Sequence, residues 1–262
     1  GWKCLFLDDV TAPAEIPPQL AAFKRQQFRW AKGSIQVLKK LGGQVLHAPL
    51  GFFVKLQALV HLSSYLVHPL MVILAIVTPL LIITGSIAQI RFPLIYLSLI
   101  SLGPPVLYAV AQRGLHPGEW KHHYKAMLLL IFLGCGIAVS NTKAVIEACL
   151  GVGNVFRRTP KFNVNGRADR WQESTYRLSL DGMVLAELAL AIYSLMGAGV
   201  AAFSGHMFAV PFILLYAGGF GYVGLQGVWD ERMALRFRRR KGTQRRTKRS
   251  TFKRSGVKRY HI

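Results

Sequence analysis

The amino-acid sequence predicts a mainly α-helical, polytopic membrane protein with about four transmembrane helices and further amphipathic helices at the membrane interface. The first supporting observation is hydropathy, because 52% of the 262 residues are hydrophobic and fall in long apolar runs. The second is charge, because the formal net charge is +22. A soluble nucleic-acid-binding domain would carry its basic residues on a polar surface around a modest core. The combination excludes a soluble single domain and indicates a membrane protein.

Residues 1–13 are predicted to contain a strand that belongs to a larger domain. Cys4, Phe6 and Val10 alternate with more polar neighbours, which is typical of a half-buried strand. The apolar part of this segment is too short for the core of a signal peptide. We therefore expect a chain that begins within a longer protein.

An amphipathic helix is predicted within residues 14–43. Pro17 and Pro18 suit a first helical turn, whose N–H groups have no partner within the helix, and Gly42 and Gly43 are predicted to end it. Apolar residues recur at roughly helical spacing, namely Leu20, Phe23, Trp30, Leu38 and Leu41. A basic flank contains Lys24, Arg25, Lys32, Lys39 and Lys40. This pattern predicts a helix that lies on the membrane surface rather than across the membrane.

Four apolar runs are long enough to cross a bilayer, which takes about 20 helical residues. They are Leu56–Thr84, Phe92–Gln112, Gly182–Gly205 and Met207–Trp229. The first two runs fall within region 55–112, and Pro69 and Pro79 are expected to kink the first of them. The last two form a predicted hairpin, region 181–229, with His206 in its turn.

The distribution of Lys and Arg sets the predicted topology. The segments rich in these residues are 21–40, 113–125, 157–177 and 232–259. The positive-inside rule places all four segments in the cytoplasm. Run 126–150 then cannot cross the membrane, so region 113–151 is predicted to be a cytoplasmic loop followed by an interfacial or re-entrant helix. We expect a multi-pass protein of the inner (plasma) membrane with both chain ends in the cytoplasm.

The sequence QQFRW gives the predicted interface helix a distinctive chemistry. Polar and aromatic side chains recur at i, i+3, i+4 and i+7, which places them on one helix face. These residues are Gln26, Arg29, Trp30 and Gly33. An indole stacks on the C–H face of a sugar ring, and a guanidinium suits a diphosphate. The alternative is an aromatic anchor at the membrane interface with basic neighbours.

QQFRW resembles the Q(Q/R)xRW motif of membrane-embedded family 2 glycosyltransferases, which include cellulose, chitin, hyaluronan and glucomannan synthases. The family carries this motif on an interfacial helix, so the resemblance implies that residues 1–13 are the C-terminal edge of a GT-A type α/β catalytic domain. It also implies that Trp30 stacks on the terminal sugar of the glycan acceptor. The surrounding pocket would be lined by Gln26, Gln27 and Arg29.

FRRTPK resembles the FxVTxK gating loop of cellulose synthases, which closes over the nucleotide sugar. Phe156, Thr159 and Lys161 match this pattern, whereas Arg158 replaces the valine. A hydroxyl and cations on a mobile cytoplasmic loop suit the clamping of a diphosphate. The resemblance therefore implies a gating-type loop within region 152–180. The alternative is a solvated basic loop beside the membrane.

The catalytic motifs of the family do not occur in this sequence. The family uses an aspartate and a DxD for the nucleotide and a divalent metal ion, Mg or Mn, and a TED aspartate as general base. The resemblance places TED shortly before Gly1, so Asp8 and Asp9 are interpreted as turn residues instead. We therefore expect no catalytic residue and no metal ligand here, and no activity from this chain alone.

Ionisable residues in the apolar regions have alternative interpretations. His61 and His68 lie seven residues apart and could share a helix face, but packed or pore-facing histidines are the simpler interpretation. Glu187 is either a polar residue that lines a glycan channel or a glutamate that is paired or reaches the membrane surface. Glu147 could form an ordinary i, i+4 ion pair with Lys143.

The last region, 230–262, is strongly basic. After Glu231 it contains 14 Lys and Arg residues and no acidic residue. Since no apolar periodicity accompanies these charges, the tail is predicted to be disordered in the cytoplasm. We expect it to enforce topology and to bind anionic lipid rather than nucleic acid.

The resemblance implies the C-terminal part of a processive inverting hexosyltransferase. Such an enzyme transfers a sugar from a UDP- or GDP-linked donor to a growing β-linked polysaccharide and passes the product across the membrane. A non-processive relative that makes a glycolipid is one alternative. A non-enzymatic membrane scaffold or transporter subunit with a lipid-binding basic tail is another, although it leaves QQFRW and FRRTPK unexplained. The sequence identifies no accessory subunit.

Overall fold

The structure, a computed structural model, describes residues 3–7, 9–12, 14–89, 103–153, 158–164, 169 and 171–255. None of these residues forms a β-strand, and helices dominate. The helices are α1 (Leu20–His47), α2 (Phe52–Ser63), α3 (Val67–Ile83), α4 (Gly103–Leu115), α5 (Tyr124–Gly136), α6 (Ala138–Leu150), α7 (Met183–Phe203) and α8 (Val210–Ser255). Short 3-10 turns occur at Ser64–Leu66, Ser86–Gln89, Trp120–His123 and Trp171–Glu173. The predicted mainly α-helical class is confirmed.

Three helical stretches within the described ranges are long and apolar enough to cross a membrane. They are Phe52–Ile83, Met183–Phe203 and Val210–Phe237. The first is interrupted by the 3-10 turn at Ser64–Leu66, just before Pro69, whose ring nitrogen cannot donate a backbone hydrogen bond. The predicted span Phe92–Gln112 lies in part outside the described residues, and α4 covers its second half.

Helices α5 and α6 form a bent pair. Trp120–Gly136 and Ala138–Leu150 meet at an angle of 44°, and together they have the length and hydropathy of a fourth span. A pair of this kind is either a broken span or a re-entrant loop. The interfacial or re-entrant placement of residues 126–150 therefore stays a prediction.

Helix α1 continues beyond its predicted end at Gly42 and Gly43 to His47. Ala48 ends the helix with extended backbone angles, φ −62° and ψ 148°, as expected for a residue before proline. The predicted stop at the two glycines is wrong because α1 packs along α2 and α6, and this packing outweighs their weak helix propensity of about 1 kcal/mol each.

The buried side of α1 differs from its predicted apolar side. Its buried residues are Ala22, Lys24, Ala31, Lys32, Ile35 and Gly42. Ile35 packs with Val145 and Ala148 of α6. Trp30, by contrast, is 48% exposed. Helix α1 therefore buries small residues and two lysines while its indole lies at the surface.

The centre of the helix bundle is formed by α3, α6 and α8. One buried cluster joins Ala75, Ala138, Val139 and Phe220. Helices α5 and α8 approach so closely that a β-carbon on Gly136 would collide with the carbonyl of Gly219. This bundle is the frame against which α1 and the loop after α6 are positioned.

The predicted hairpin at His206 is confirmed, since α7 ends at Phe203 and α8 begins at Val210. The predicted disorder of the basic tail is wrong for the described residues, because the backbone of α8 remains helical to Ser255. Arg and Lys are good helix formers, and residues 212–255 contain no proline. Extending an existing helix also avoids the unfavourable nucleation step.

The predicted strand near the start of the chain is wrong for the described residues, since 3–7 and 9–12 have irregular backbone and no ladder partner. Leu5 is 82% and Phe6 is 86% exposed. A strand requires a neighbouring strand for its N–H and C=O groups, and no other segment of the described chain provides one. Asp9 lies in a turn, as predicted.

Candidate functional site

The four residues of the sugar-binding prediction lie on α1, but they do not all face the same space. Gln26, Gln27 and Arg29 are partly buried, whereas Trp30 is 48% exposed. Arg29 and Gly33 line a cavity beside the helix. Gln26 and Trp30 lie on the adjoining surface of α1 and do not line it. The predicted face is therefore divided between a cavity wall and an open edge.

The cavity has a volume of about 720 Å³ and lies between α1, α6, the segment before α7, and α8. This size is within the range of about 300–1,000 Å³ that is usual for ligand pockets. Its wall contains five basic residues, namely Lys24, Arg25, Arg29, Lys32 and Lys143. Carboxylates come from Glu147, Asp181, Asp230 and Glu231. A wall with both charges suits a strongly polar ligand, because hydroxyl and phosphate groups both find partners there.

The start of α1 is tied to two distant segments. The Gln19 amide donates to the carbonyl of Leu178 at 2.8 Å, and the Leu178 N–H donates to Gln19 Oε1 at 3.0 Å. The Leu20 N–H donates to Asp230 Oδ2 at 3.2 Å, while the Gln226 amide donates to Asp230 Oδ1 at 2.9 Å. The Leu20 contact satisfies one of the backbone N–H groups that a helix start leaves without a partner. They hold α1 on α8 and on the loop before α7.

An ion pair joins the middle of the motif region to the membrane helices. The Lys24 ammonium donates to Glu187 Oε1 of α7, and the two side chains are 6% and 0% exposed. A charge buried in this way is tolerated when an opposite charge and hydrogen bonds compensate for lost hydration. Glu187 is therefore a paired glutamate, and Lys24, which was predicted on the basic flank of an interface-lying helix, is instead buried against α7.

Lys32 makes a second connection, to the end of α6. Its ammonium donates to Glu147 Oε2 at 2.8 Å, to the carbonyl of Val152 at 2.6 Å and to the carbonyl of Gly153. An ammonium has three N–H donors, so all three have partners. The alternative of a Glu147 pair with Lys143 is wrong, because the partner of Glu147 lies on α1. Lys32 is likewise buried rather than part of a solvated flank.

The predicted gating-type residues are only partly described. Phe156 lies outside the described residues, Lys161 is exposed, and Thr159 is partly buried. The hydroxyl oxygen of Thr159 is buried without a hydrogen-bond partner among the described residues. A buried hydroxyl without a partner is rare in folded proteins.

The segment that follows FRRTPK is attached to the chain just before α1. The Glu15 carboxylate accepts hydrogen bonds from the N–H groups of Phe162, at 3.1 Å, and Asn163, at 3.3 Å. Asn163 adopts a left-handed backbone conformation with φ 53°. Asparagine tolerates this conformation better than most residues do. The contact brings the predicted gating-type region to the start of the motif helix.

The two membrane histidines do not act as a pair. His61 is exposed on α2, and His68 lies beyond the 3-10 turn on α3. The Asn141 amide of α6 contacts His68 Nε2 at 2.9 Å. This contact packs the partly buried His68 against α6. Across the described residues, no group of three or more His, Cys, Asp or Glu side chains comes together in a way that could hold a metal ion.

The sequence prediction missed the residues that hold α1 in place. They are Glu15, Gln19, Lys24, Lys32 and Asp230. One signal was present, since a glutamate within an apolar span requires a cation nearby, and Glu187 lacks one in its own helix. The partner itself lies 163 residues away along the chain, which no local pattern can indicate.

Comparison with known proteins gives short but consistent matches. Glucomannan 4-beta-mannosyltransferase 7 of Arabidopsis thaliana is 38% identical over 48 residues, which are 18% of this chain and 9% of that protein. The probable glucomannan 4-beta-mannosyltransferase 7 of Oryza sativa subsp. japonica is 40% identical over 48 residues, or 18% of this chain and 8% of that protein. No family model and no solved structure matches.

A third relative, the probable glucomannan 4-beta-mannosyltransferase 10 of Arabidopsis thaliana, is 42% identical over 41 residues, which are 16% of this chain. The aligned part spans only 7% to 9% of these three relatives. All three relatives are named as glucomannan 4-beta-mannosyltransferases, two of them as probable ones. The resemblance to the glucomannan synthase-like family 2 glycosyltransferases is thus confirmed, and over these residues the chain is similar to enzymes of that kind.

Proposed function

We propose that this chain is the membrane-embedded part of a hexosyltransferase that makes a β-linked polysaccharide from a nucleotide sugar. The observation that carries the proposal is the geometry of α1, where Arg29 forms part of the wall of a charged cavity and the next residue, Trp30, is 48% exposed on the adjoining helix surface. The glucomannan mannosyltransferase names of the relatives support the same reaction class.

In this proposal, α1 is the acceptor platform. Trp30 stacks on the terminal sugar of the acceptor, because an indole face matches the C–H face of a pyranose ring. Gln26 and Gln27 supply amide groups for sugar hydroxyls. Arg29 presents its guanidinium to the diphosphate of the donor, a role for which a planar fork of donors is well suited.

The FRRTPK segment acts as the gating-type element over the donor. Lys161 offers an exposed ammonium, and Thr159 offers a buried hydroxyl without a partner among the described residues. Phe156 completes the matched pattern, although it lies outside the described residues. The bond between Glu15 and the segment after Lys161 supports a position close to the acceptor platform.

The donor is a UDP- or GDP-linked sugar, and a divalent ion, Mg or Mn, compensates the charge of its diphosphate when bound. The described residues of this chain do not offer a ligand cluster for that ion. We assign the ion, the nucleotide and the general base to the catalytic domain that the family resemblance implies. This chain contributes the acceptor platform, the gating-type segment and the membrane path of the product.

The proposed location is the inner (plasma) membrane, with both ends of the chain in the cytoplasm. The basic extension of α8 supports this orientation, because clusters of Lys and Arg next to a span stay on the cytoplasmic side. The extension binds anionic lipid, and each basic residue near such a surface contributes about 1 kcal/mol.

Product sizing tests the proposed function. Inverted membrane vesicles that contain the whole protein are supplied with labelled UDP-glucose or GDP-mannose and Mg²⁺ or Mn²⁺. We expect a high-molecular-weight product that a matching β-glycanase degrades. A single labelled lipid would replace the polysaccharide with a glycolipid product. Absence of incorporation from both donors would contradict the enzyme proposal and favour a non-enzymatic membrane role.

A further inference from the structure

Lys32 holds the chain on the upstream side of the FRRTPK segment. This lysine lies two residues after Trp30 on α1, and its ammonium binds Glu147 together with the carbonyls of Val152 and Gly153. Those carbonyls belong to the first residues after α6, which lead into the gating-type region. The acceptor platform and the upstream flank therefore share one charged contact.

The local backbone is shaped around this ammonium. Gly153 has φ +69°, a conformation that L side chains rarely adopt. A β-carbon there would lie 3.1 Å from Lys32 Nζ and 3.2 Å from Glu147 Oε2. Any larger residue would be strained and would also press against the ion pair. The glycine is thus required for the approach of the Lys32 ammonium to the loop.

The downstream side of the same region is held by a different carboxylate. Glu15 accepts the N–H groups of Phe162 and Asn163, which follow directly after FRRTPK. Further along, Gln19 exchanges two hydrogen bonds with Leu178. The loop between α6 and α7 is therefore fastened at its beginning, its middle and its end, each time to α1 or to the few residues before α1.

We infer that Lys32 and Glu15 are positioning residues that hold the two flanks of the FRRTPK segment, 152–153 and 162–163, to the helix that carries Trp30 and to the chain just before that helix. The acceptor platform, α1, and the donor-covering segment, FRRTPK, are then coupled, so that a displacement of one shifts the other. This inference rests on the proposed function for its biological meaning. The two fastening contacts themselves are independent of any reaction.

Lys39 provides a matched control on the same helix. Its ammonium donates to the carbonyls of Ala148, at 3.2 Å, and Cys149, at 2.7 Å. These contacts are with the last turn of α6 and not with residues 152–153. Lys39→Met removes one positive charge from α1 and leaves an unbranched apolar side chain, as Lys32→Met does. Unlike Lys32→Met, it leaves the contacts with Val152 and Gly153 intact.

Amide hydrogen exchange in the whole protein, reconstituted in lipid nanodiscs, tests the two contacts directly. We expect Lys32→Met and Glu15→Ala each to accelerate exchange in peptides that cover 158–164 by about fivefold or more, the effect of losing one or two ordinary interactions. Lys39→Met should leave those peptides unchanged. Unchanged exchange in 158–164 for Lys32→Met would overturn the inference, because the upstream contact would then not order the downstream flank.

The Michaelis constant for the nucleotide sugar gives a second measurement. Lys32→Met should raise KM about fivefold or more with a smaller change in kcat, and Lys39→Met should change neither by more than about twofold. A wild-type protein that exchanges as expected but transfers no sugar from any donor would refute the proposed function and uphold the fastening contacts. If Lys32→Met accelerated exchange in 158–164 but left KM for the nucleotide sugar unchanged, the coupling between the acceptor platform and the donor-covering segment would be refuted.

Two milder variants keep the test informative if Lys32→Met fails to fold. Glu147→Gln retains an acceptor for Lys32 and both carbonyl bonds, so its effect on exchange should be smaller than that of Glu15→Ala. Gly153→Ala strains the backbone and crowds the ammonium, so it should accelerate exchange in 158–164 without removing any charge. If exchange in 158–164 were as slow in Gly153→Ala as in the wild type, the role assigned to Lys32 would be contradicted.

Discussion

The two sides of α1 are chemically opposite. The side that faces the bundle buries Lys24 and Lys32, and each lysine has a carboxylate partner on another helix. The open side presents Gln26 and the half-exposed indole of Trp30. Two lysines, which ordinarily face water, are thus buried, and the large aromatic Trp30 is exposed.

In the proposed function, this difference separates the side that holds the helix from the side that binds the acceptor. Ion pairs with buried partners fix position and register, because a shift of the helix by one residue would leave an uncompensated charge. The aromatic and amide side chains on the open side contribute little to that fixing and remain available for a ligand. The following predictions test this division, beginning with the largest expected effect.

Glu187→Leu should have the largest effect on stability. The substitution leaves the ammonium of Lys24, which is 5% exposed, without its partner, and breaking a buried pair costs about 3–5 kcal/mol. The measurement is the thermal midpoint of the whole protein in detergent. The double variant Lys24→Met with Glu187→Leu should recover most of the loss, since neither charge then remains. A double variant as unstable as the single one would contradict the paired role.

Trp30→Ala should reduce sugar transfer strongly and leave the fold intact. An exposed indole that stacks on the acceptor contributes about 1.5–3 kcal/mol, which corresponds to a loss of roughly tenfold to a hundredfold in elongation. The matched control is Trp229→Ala, which removes an indole that is 58% exposed on α8. Normal elongation by Trp30→Ala would refute its acceptor role, whereas nucleotide binding should be nearly unchanged in both variants.

Lys161→Ala should weaken retention of the donor more moderately. A single exposed ammonium near a diphosphate typically changes affinity by about three- to tenfold, and the effect should shrink at high salt. Equilibrium binding of the labelled nucleotide sugar at two ionic strengths measures both features. Lys40→Ala, an exposed lysine on α1, serves as control. Equal affinity for the Lys161 and Lys40 variants would reject the gating assignment.

Asp230→Ala should have the smallest effect. It removes the carboxylate that accepts from the N–H of Leu20, a contact equivalent to a helix cap and worth about 1 kcal/mol. Hydrogen exchange in the first turn of α1 should become faster, while the centre of α1 stays protected by Lys24 and Lys32. Asp230→Asn, which retains an acceptor oxygen, should lie between wild type and Asp230→Ala.

Much of the architecture could be predicted from local sequence. The candidate spans Phe52–Ile83 and Met183–Phe203 could be predicted because long apolar runs suit the hydrocarbon core of a bilayer, where a helix satisfies its own backbone hydrogen bonds. The hairpin at His206 and the helix that carries QQFRW were likewise indicated by periodicity and turn residues. The QQFRW motif also pointed to the group of relatives that the comparisons found.

The errors concern features that depend on distant partners. Lys24 and Lys32 have the spacing of a solvated basic flank until Glu187 and Glu147, far along the chain, are brought beside them. The strand predicted around Phe6 has no neighbouring strand among the described residues. The tail was predicted from its charge alone, whereas its helix extends an existing one and does not need to nucleate.

Helix α8 has a mechanical consequence. Its 46 residues form one uninterrupted rod of about 69 Å, more than twice the thickness of the hydrocarbon core. Asp230, which contacts the first turn of α1, lies near the middle of that rod. Rotation of the basic end about the rod's axis must therefore turn Asp230 as well. A partner that binds the basic end and rotates α8 would therefore also move the first turn of α1, which Asp230 holds.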